Sequence, residues 1–209
     1  MTTTNDIYEV MQTQRAIRRW TDEPVDPEVI ERIIQAGCWA PSGSNSQPWG
    51  FLVVSDDDKR ERLAAALRSG FEMRVGSSFP NPDEVEDPTR RRMYRGAKSL
   101  FENFAAAPVW IIPCLLTDLY LARAADSLLA GSSIYPSIQN IMLAARAEGL
   151  GTVLTTPQDS IMDELRTELS IPDSALPVAI IPMGHPNANF GPVTRRPLDT
   201  FLHWNGWND

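Results

Sequence analysis

Apolar positions recur along this chain with two periods, and the switches between them divide it into helices and strands. Ile7, Val10 and Met11 share one face of a helix predicted over residues 5–14, with Thr4 or Asn5 able to cap it and Arg15 near its end. Asp26-Pro27 supplies an N-cap and a first-turn proline for a second helix, whose Val29, Ile30, Ile33 and Ile34 form a core stripe before Gly37. Further helices are predicted at 57–68 and around 89–105. Ile134, Ile138, Ile141, Met142 and Ala145 then repeat at helical spacing in a central core helix stopped by Gly149, with Pro136 demanding a start or kink nearby. A last helix begins at Asp159 or Ser160 and finishes before Pro172.

Four short apolar runs read as strands: 49–55, 109–116 despite Pro113, 151–155 and 176–183. Phe71–Pro88 has three prolines, several acids and no apolar period, and is expected to cross the surface. Strands set among helices imply an α+β layer architecture, a sheet covered by helices, without fixing strand order. No internal repeat is apparent.

With 209 residues and 43% apolar content, the chain can bury one substantial core, and a single domain over 1–209 is expected. Within it, residues 69–104 form a variable excursion and residues 187–209 an extended C-terminal tail. No apolar run approaches the roughly 18 residues of a membrane span, and the start Met-Thr-Thr-Thr-Asn-Asp lacks a basic region and apolar core, so a cytoplasmic protein without membrane attachment is expected. Cys38 and Cys114 are far apart and suggest neither a disulfide framework nor a zinc site, and no metal is expected. A formal charge of −8 argues against nucleic acid as a partner. Local basic spots remain at 15–19, 90–95 and 195–196. Arg90-Arg91-Arg92 follow the acidic run 83–87 and read as a solvated mixed-charge loop or helix start. His185 and His203 sit in no nucleophile or metal motif.

Arg15 and Arg18, three positions apart, can meet one dianion, and hydrogen bonds to a charged partner contribute about 1.5–3 kcal/mol each. Arg195 and Arg196 could complete such a cage, with one of the adjacent pair facing inward; all four also read as surface arginines near chain turns. The stretch Ala40-Pro-Ser-Gly-Ser-Asn-Ser-Gln-Pro-Trp49 is a turn-forming loop rich in hydroxyl and amide groups, suited to a polar heterocycle or equally to an ordinary turn. Trp204 and Trp207, with His203, make an aromatic C-terminus expected to pack on a partner subunit.

The order Gln14-Arg-Ala-Ile-Arg-Arg-Trp20, the 40–49 loop, residues 131–156 and Arg195-Arg196-Pro197 together resemble the FMN-dependent nitroreductase family; residues 69–104 and 116–130 carry little of this likeness. The resemblance implies a central mixed, mostly antiparallel sheet of four to five strands in an intertwined homodimer. It implies tightly but non-covalently bound FMN, held by Gln14, Arg15, Ala16, Arg18, Arg195 and Arg196 at the phosphate. Pro41, Ser42, Gly43, Asn45 and Gln47 would approach the ring from the second subunit, and Leu154, Thr155 and Thr156 would lie against it near N5. Val153–Thr156 also reads as a plain strand end before a Pro157 turn. Gln14 stands where many members carry Arg or His, and Ala16 where a Ser hydroxyl commonly donates. Backbone N–H remains at Ala16, so FMN binding is expected to survive with weaker affinity.

The implied activity is an oxidoreductase in which NADH or NADPH gives hydride to the flavin, leaves, and an electron-poor small molecule such as a nitroaromatic or quinone takes its place. No side chain need act as catalytic acid or base. Phe71, Phe79 and Tyr94 either cover the flavin as substrate contacts or pack structurally. A specialised desaturase or dehalogenase on the same scaffold is an alternative, as is a flavin-binding module without turnover.

Overall fold

A computed structural model describes residues 3–75, 78–119, 128–156 and 159–207. Six helices are seen among them: α1 (Ile7–Thr13), α2 (Pro27–Cys38), α3 (Asp57–Val75), α4 (Pro88–Glu102), α5 (Leu128–Ala147) and α6 (Asp159–Leu169). The strands are β1 (Trp49–Val54), β2 (Val109–Leu116), β3 (Gly151–Thr152), β4 (Ala175–Pro177) and β5 (Ile181–Gly184). They form one sheet in the order β1-β2-β5-β3, with β4 paired to β2 beside β5. Every pairing is antiparallel, in keeping with the expected α+β class.

β2 explains why its sequence is apolar without alternation. It is buried on both faces, and its side chains divide by the two-residue period of a strand. Trp110, Ile112 and Cys114 enter one core with Leu63, Leu67, Leu100, Phe104 and Leu165 from α3, α4, α6 and the turn after α4. Val109, Ile111 and Leu115 enter the other, with Ile30 and Ile33 of α2 and Ile134, Ile138 and Ile141 of α5. The sheet is therefore the middle layer of three.

Local signals hold where chemistry enforces them. Asp26 caps α2 through the Glu28 N–H, ahead of Pro27, as its sequence implies. α1 is capped by Asp6, accepting from Glu9 N–H, rather than by Thr4 or Asn5. Two further expectations are corrected. α3 continues to Val75 instead of stopping at 68, so the surface excursion begins later; Asn81 then caps a 3-10 turn at Pro82–Glu84 and Asp87 caps α4. The run 176–183 is not one strand but β4 and β5, parted at Val178–Ile180, where Ile180 and Thr155 exchange backbone hydrogen bonds across an isolated bridge. Pro136 lies inside α5; burial of Ile134, Ile138 and Ile141 outweighs the one backbone donor that proline lacks. Residues 76–77 and 120–127 of the poorly matching segments, and Pro157, lie outside the described residues.

Candidate functional site

Residues 14–20 leave α1, and two of their side chains turn into the core. Ile17 and Trp20 are buried while Arg15 and Arg19 are exposed and Arg18 is half-buried. Ile17 N–H donates to Thr152 O at 2.9 Å, and the Trp20 indole donates to Gly151 O at 2.9 Å, so the segment is tied to β3 at two points. Gly151 is required there, because a Cβ would sit 2.7 Å from Ile17 Cγ2. After β5 the chain returns antiparallel along the same segment. Thr21 N–H donates to His185 O, Asn187 N–H to Arg19 O and Val193 N–H to Gln12 O, each at 2.9 Å. Phe190 anchors this return beneath the guanidinium of Arg146, 4.1 Å from its ring centre.

Between the two paired segments and α4 opens a cavity of about 980 Å³, near the top of the roughly 300–1,000 Å³ range of small-molecule sites. Arg15, Ala16, Ile17, Arg18 and Arg19 form one wall, Asn187–Asn189 another, and Pro88, Thr89, Arg91, Arg92, Met93, Arg95, Gly96 and Ser99 of α4 the third. Among the described residues, six arginines and no carboxylate line it. Burial, and secondarily the Arg15 cation, push the Arg18 guanidinium below its ordinary pKa. Arg18 Nε is buried with no hydrogen-bond partner among the described residues, and its Nη1 lies 3.4 Å from the Cβ position of Gly96. An uncompensated, partly desolvated cation of this kind favours an anion at its exposed end.

The sequence-predicted residues are distributed unevenly about this cavity. Arg15, Ala16 and Arg18 line it; Gln14 adjoins them but turns its amide toward Met142 Sδ at 3.9 Å. Thr155 lies three residues beyond Thr152, the residue that accepts from Ile17, and its Oγ1 is buried without a partner among the described residues. Leu154 packs on the α2/α5 core, and Thr156 is exposed.

The 41–47 loop stands apart, outside the cavity lining. Gly43 N–H donates to Ser133 Oγ of α5, Gln47 N–H donates to Ser42 Oγ, and the Gln47 amide donates to the backbone and side-chain oxygens of Asn45. Pro41, Gly43, Asn45 and Gln47 are exposed. Ser44, Asn45 and Gln47 all have positive φ, of 53°, 51° and 48°. Left-handed backbone costs most residues about 1–2 kcal/mol, so three such residues in four positions mark a shape held at some expense to stability.

Arg195 and Arg196 do not line the cavity. They follow Val193 past the end of α1, where Arg195 donates to Thr194 O and Arg196 lies 4.5 Å over the Phe201 ring. Phe71 and Phe79 line a separate cavity of about 360 Å³, with Phe79 packed edge to face on both Phe71 and Tyr94 and Phe71 stacked on Phe101.

The basic spot at 90–95, read from sequence as solvated mixed charge, instead supplies Arg91, Arg92 and Arg95 to this cavity; their i, i+1, i+4 spacing on the helix puts them on one face.

A helix-covered antiparallel sheet with a basic cavity beside its edge sets the architecture, and sequence assigns the family. The nitroreductase family profile matches residues 11–185, and the chain belongs to the nitroreductase family. A Methanothermobacter thermautotrophicus protein named as an NADH dehydrogenase/NAD(P)H nitroreductase is 30% identical over 205 residues, covering 97% of this chain and 88% of that protein. Iodotyrosine deiodinase 1 of Sus scrofa is also 30% identical over 205 residues, covering 94% and 68%. A nitroreductase from Desulfovibrio desulfuricans, solved in complex with FMN, superposes with a TM-score of 0.67 at 29% identity, covering 99% of this chain and all of that one. No helix among the described residues is long and apolar enough to cross a membrane.

Proposed function

We propose that this chain is an FMN-dependent oxidoreductase that takes electrons from NADH or NADPH and passes them in a separate half-reaction to an electron-poor small molecule, such as a nitroaromatic or quinone. The observation that carries the reading is the arginine-lined cavity, free of carboxylates among the described residues, in which the Arg18 guanidinium is partly desolvated and its Nε has no partner among them. Bound FMN supplies the hydride chemistry at its ring.

The chain's own residues hold and orient the cofactor. Arg15 and Arg18 take the phosphate, with Ala16 offering its backbone N–H in place of a hydroxyl and Gln14 adding no charge. One of Arg195 and Arg196 approaches from beyond α1. Thr155, whose buried Oγ1 has no partner among the described residues, would donate toward the ring with its neighbours Leu154 and Thr156, favouring the added negative charge of the reduced form. Pro41, Ser42, Gly43, Asn45 and Gln47 serve the ring of a second copy, which accounts for a loop kept exposed and left-handed yet pinned to α5. A homodimer is further supported by the tail, where Trp204 is 73% and Trp207 84% exposed. Phe71, Phe79 and Tyr94 form a substrate-side wall of the same variable segment. No side chain is assigned as a proton donor or base.

The likeness to iodotyrosine deiodinase favours one alternative, a reductive dehalogenation on the same scaffold. A visible spectrum of the purified protein, taken before and after anaerobic addition of NADH or NADPH, tests both. Rapid bleaching of a flavin absorbance supports the proposal; a flavin that neither nucleotide reduces favours the alternative. A colourless protein unaffected by added FMN overturns both.

A further inference from the structure

The cavity is more basic than one flavin phosphate requires. Of its six arginines, Arg95 alone has a carboxylate partner among the described residues, Asp83 at 2.5 Å, whose pKa it lowers. Arg91 donates to the carbonyls of Val85 and Glu86 at 2.8 and 3.3 Å, which fix its direction without neutralising it. Arg15, Arg18, Arg19 and Arg92 have no ion-pair partner among the described residues. A phosphate monoester brings about −1.5 to −2 charges, enough for two of the five unmatched cations. Three remain, Arg19, Arg91 and Arg92, in a chain of net charge −8 none of whose described acids lines this cavity. Two of the three, Arg91 and Arg92, lie on α4, where a loop is hydrogen-bonded to Arg91 and Arg95 and Arg18 approaches Gly96.

Resting on the flavin reading, we propose that α4 forms a second anion subsite, centred on Arg92 and flanked by Arg91 and Arg95, and that the small molecule exchanging electrons with the flavin carries a carboxylate or phosphate that docks there. Arg92 is exposed and has no ion-pair partner among the described residues, so its removal is expected to leave the fold intact. The group recognised belongs either to an anionic acceptor or to the 2′-phosphate of NADPH, which NADH lacks.

The test compares FMN-loaded wild type with Arg92→Ala and Arg92→Lys. Calorimetric titration with 4-nitrobenzoate and with its neutral counterpart 4-nitrobenzamide gives the acceptor arm; kcat/KM for NADPH against NADH gives the donor arm. The expected result is a wild-type preference for the anion of one pair. That preference falls roughly tenfold in Arg92→Ala and recovers in part in Arg92→Lys, while the neutral member and FMN content are unaffected. A change in either arm supports the subsite and identifies the anion's source. Equal binding of both members of both pairs by wild type, or ratios unaltered by Arg92→Ala, would overturn it. Failure of the flavin reading shows separately, as absent FMN absorbance before any ligand is added; the nitrobenzoate titration of flavin-free protein then decides the role of Arg92 alone.

Discussion

Replacing Arg18 by Ala separates a phosphate anchor from a merely structural arginine. The guanidinium lies against Gly96 of α4, its Nε is buried without a partner, and both burial and Arg15 disfavour its charge. A phosphate in the cavity would relieve that deficit through charge-assisted hydrogen bonds, about 1.5–3 kcal/mol for the group as a whole. At 1.4 kcal/mol per tenfold, Arg18→Ala should raise the Kd for FMN roughly 10- to 150-fold. Riboflavin has the same ring system and no phosphate, so its Kd should move less than about twofold, since only indirect displacement of α4 would affect it. Flavin fluorescence titrations of wild type and variant with both ligands give the FMN-to-riboflavin ratio directly. Removing an unpaired, partly buried cation should also leave the thermal stability of the flavin-free protein unchanged or raised. If the two Kd values rise together, or the ratio stays as in wild type, Arg18 does not hold the phosphate.

Gly151→Ala would place a methyl group 2.7 Å from Ile17 and push the Arg15–Arg18 segment outward; a loss of about 1–3 kcal/mol in urea unfolding and weaker FMN binding are expected, and unchanged values of both would refute the role given to that contact. Burial raises the Cys114 thiol to about 11 from its ordinary 9.0, so the folded state keeps a proton that the unfolded state releases. Stability from this group should therefore be complete below pH 9 and fall as pH rises toward 11, and Cys114→Ser, measured by chemical unfolding across that window, should flatten the decline. Below pH 9 a thiol reagent should modify half-buried Cys38 before Cys114. Deleting residues 197–209 spares the Phe190 and Val193 contacts and should convert a dimer to monomer in analytical ultracentrifugation; a dimer of undiminished affinity would remove the tail from the interface.

What the sequence determined by itself is what short-range forces encode. The Asp26-Pro27 cap, the α2 and α5 stripes and the apolar β1 and β2 runs could be read because capping, helical period and exclusion of water act within a few residues. Arg15 and Arg18 were legible from their three-residue spacing within a motif of a few residues. Tertiary structure alone decided the strand order β1-β2-β5-β3, the break between β4 and β5, and the return of residues 185–193 along 12–21, all set by pairings between residues distant in the chain. It also brought Arg91, Arg92 and Arg95 to the cavity of Arg18. Their spacing defines a helical face but not what that face meets, and it is the packing of α4 that turns a run resembling solvated surface into one wall of a basic site.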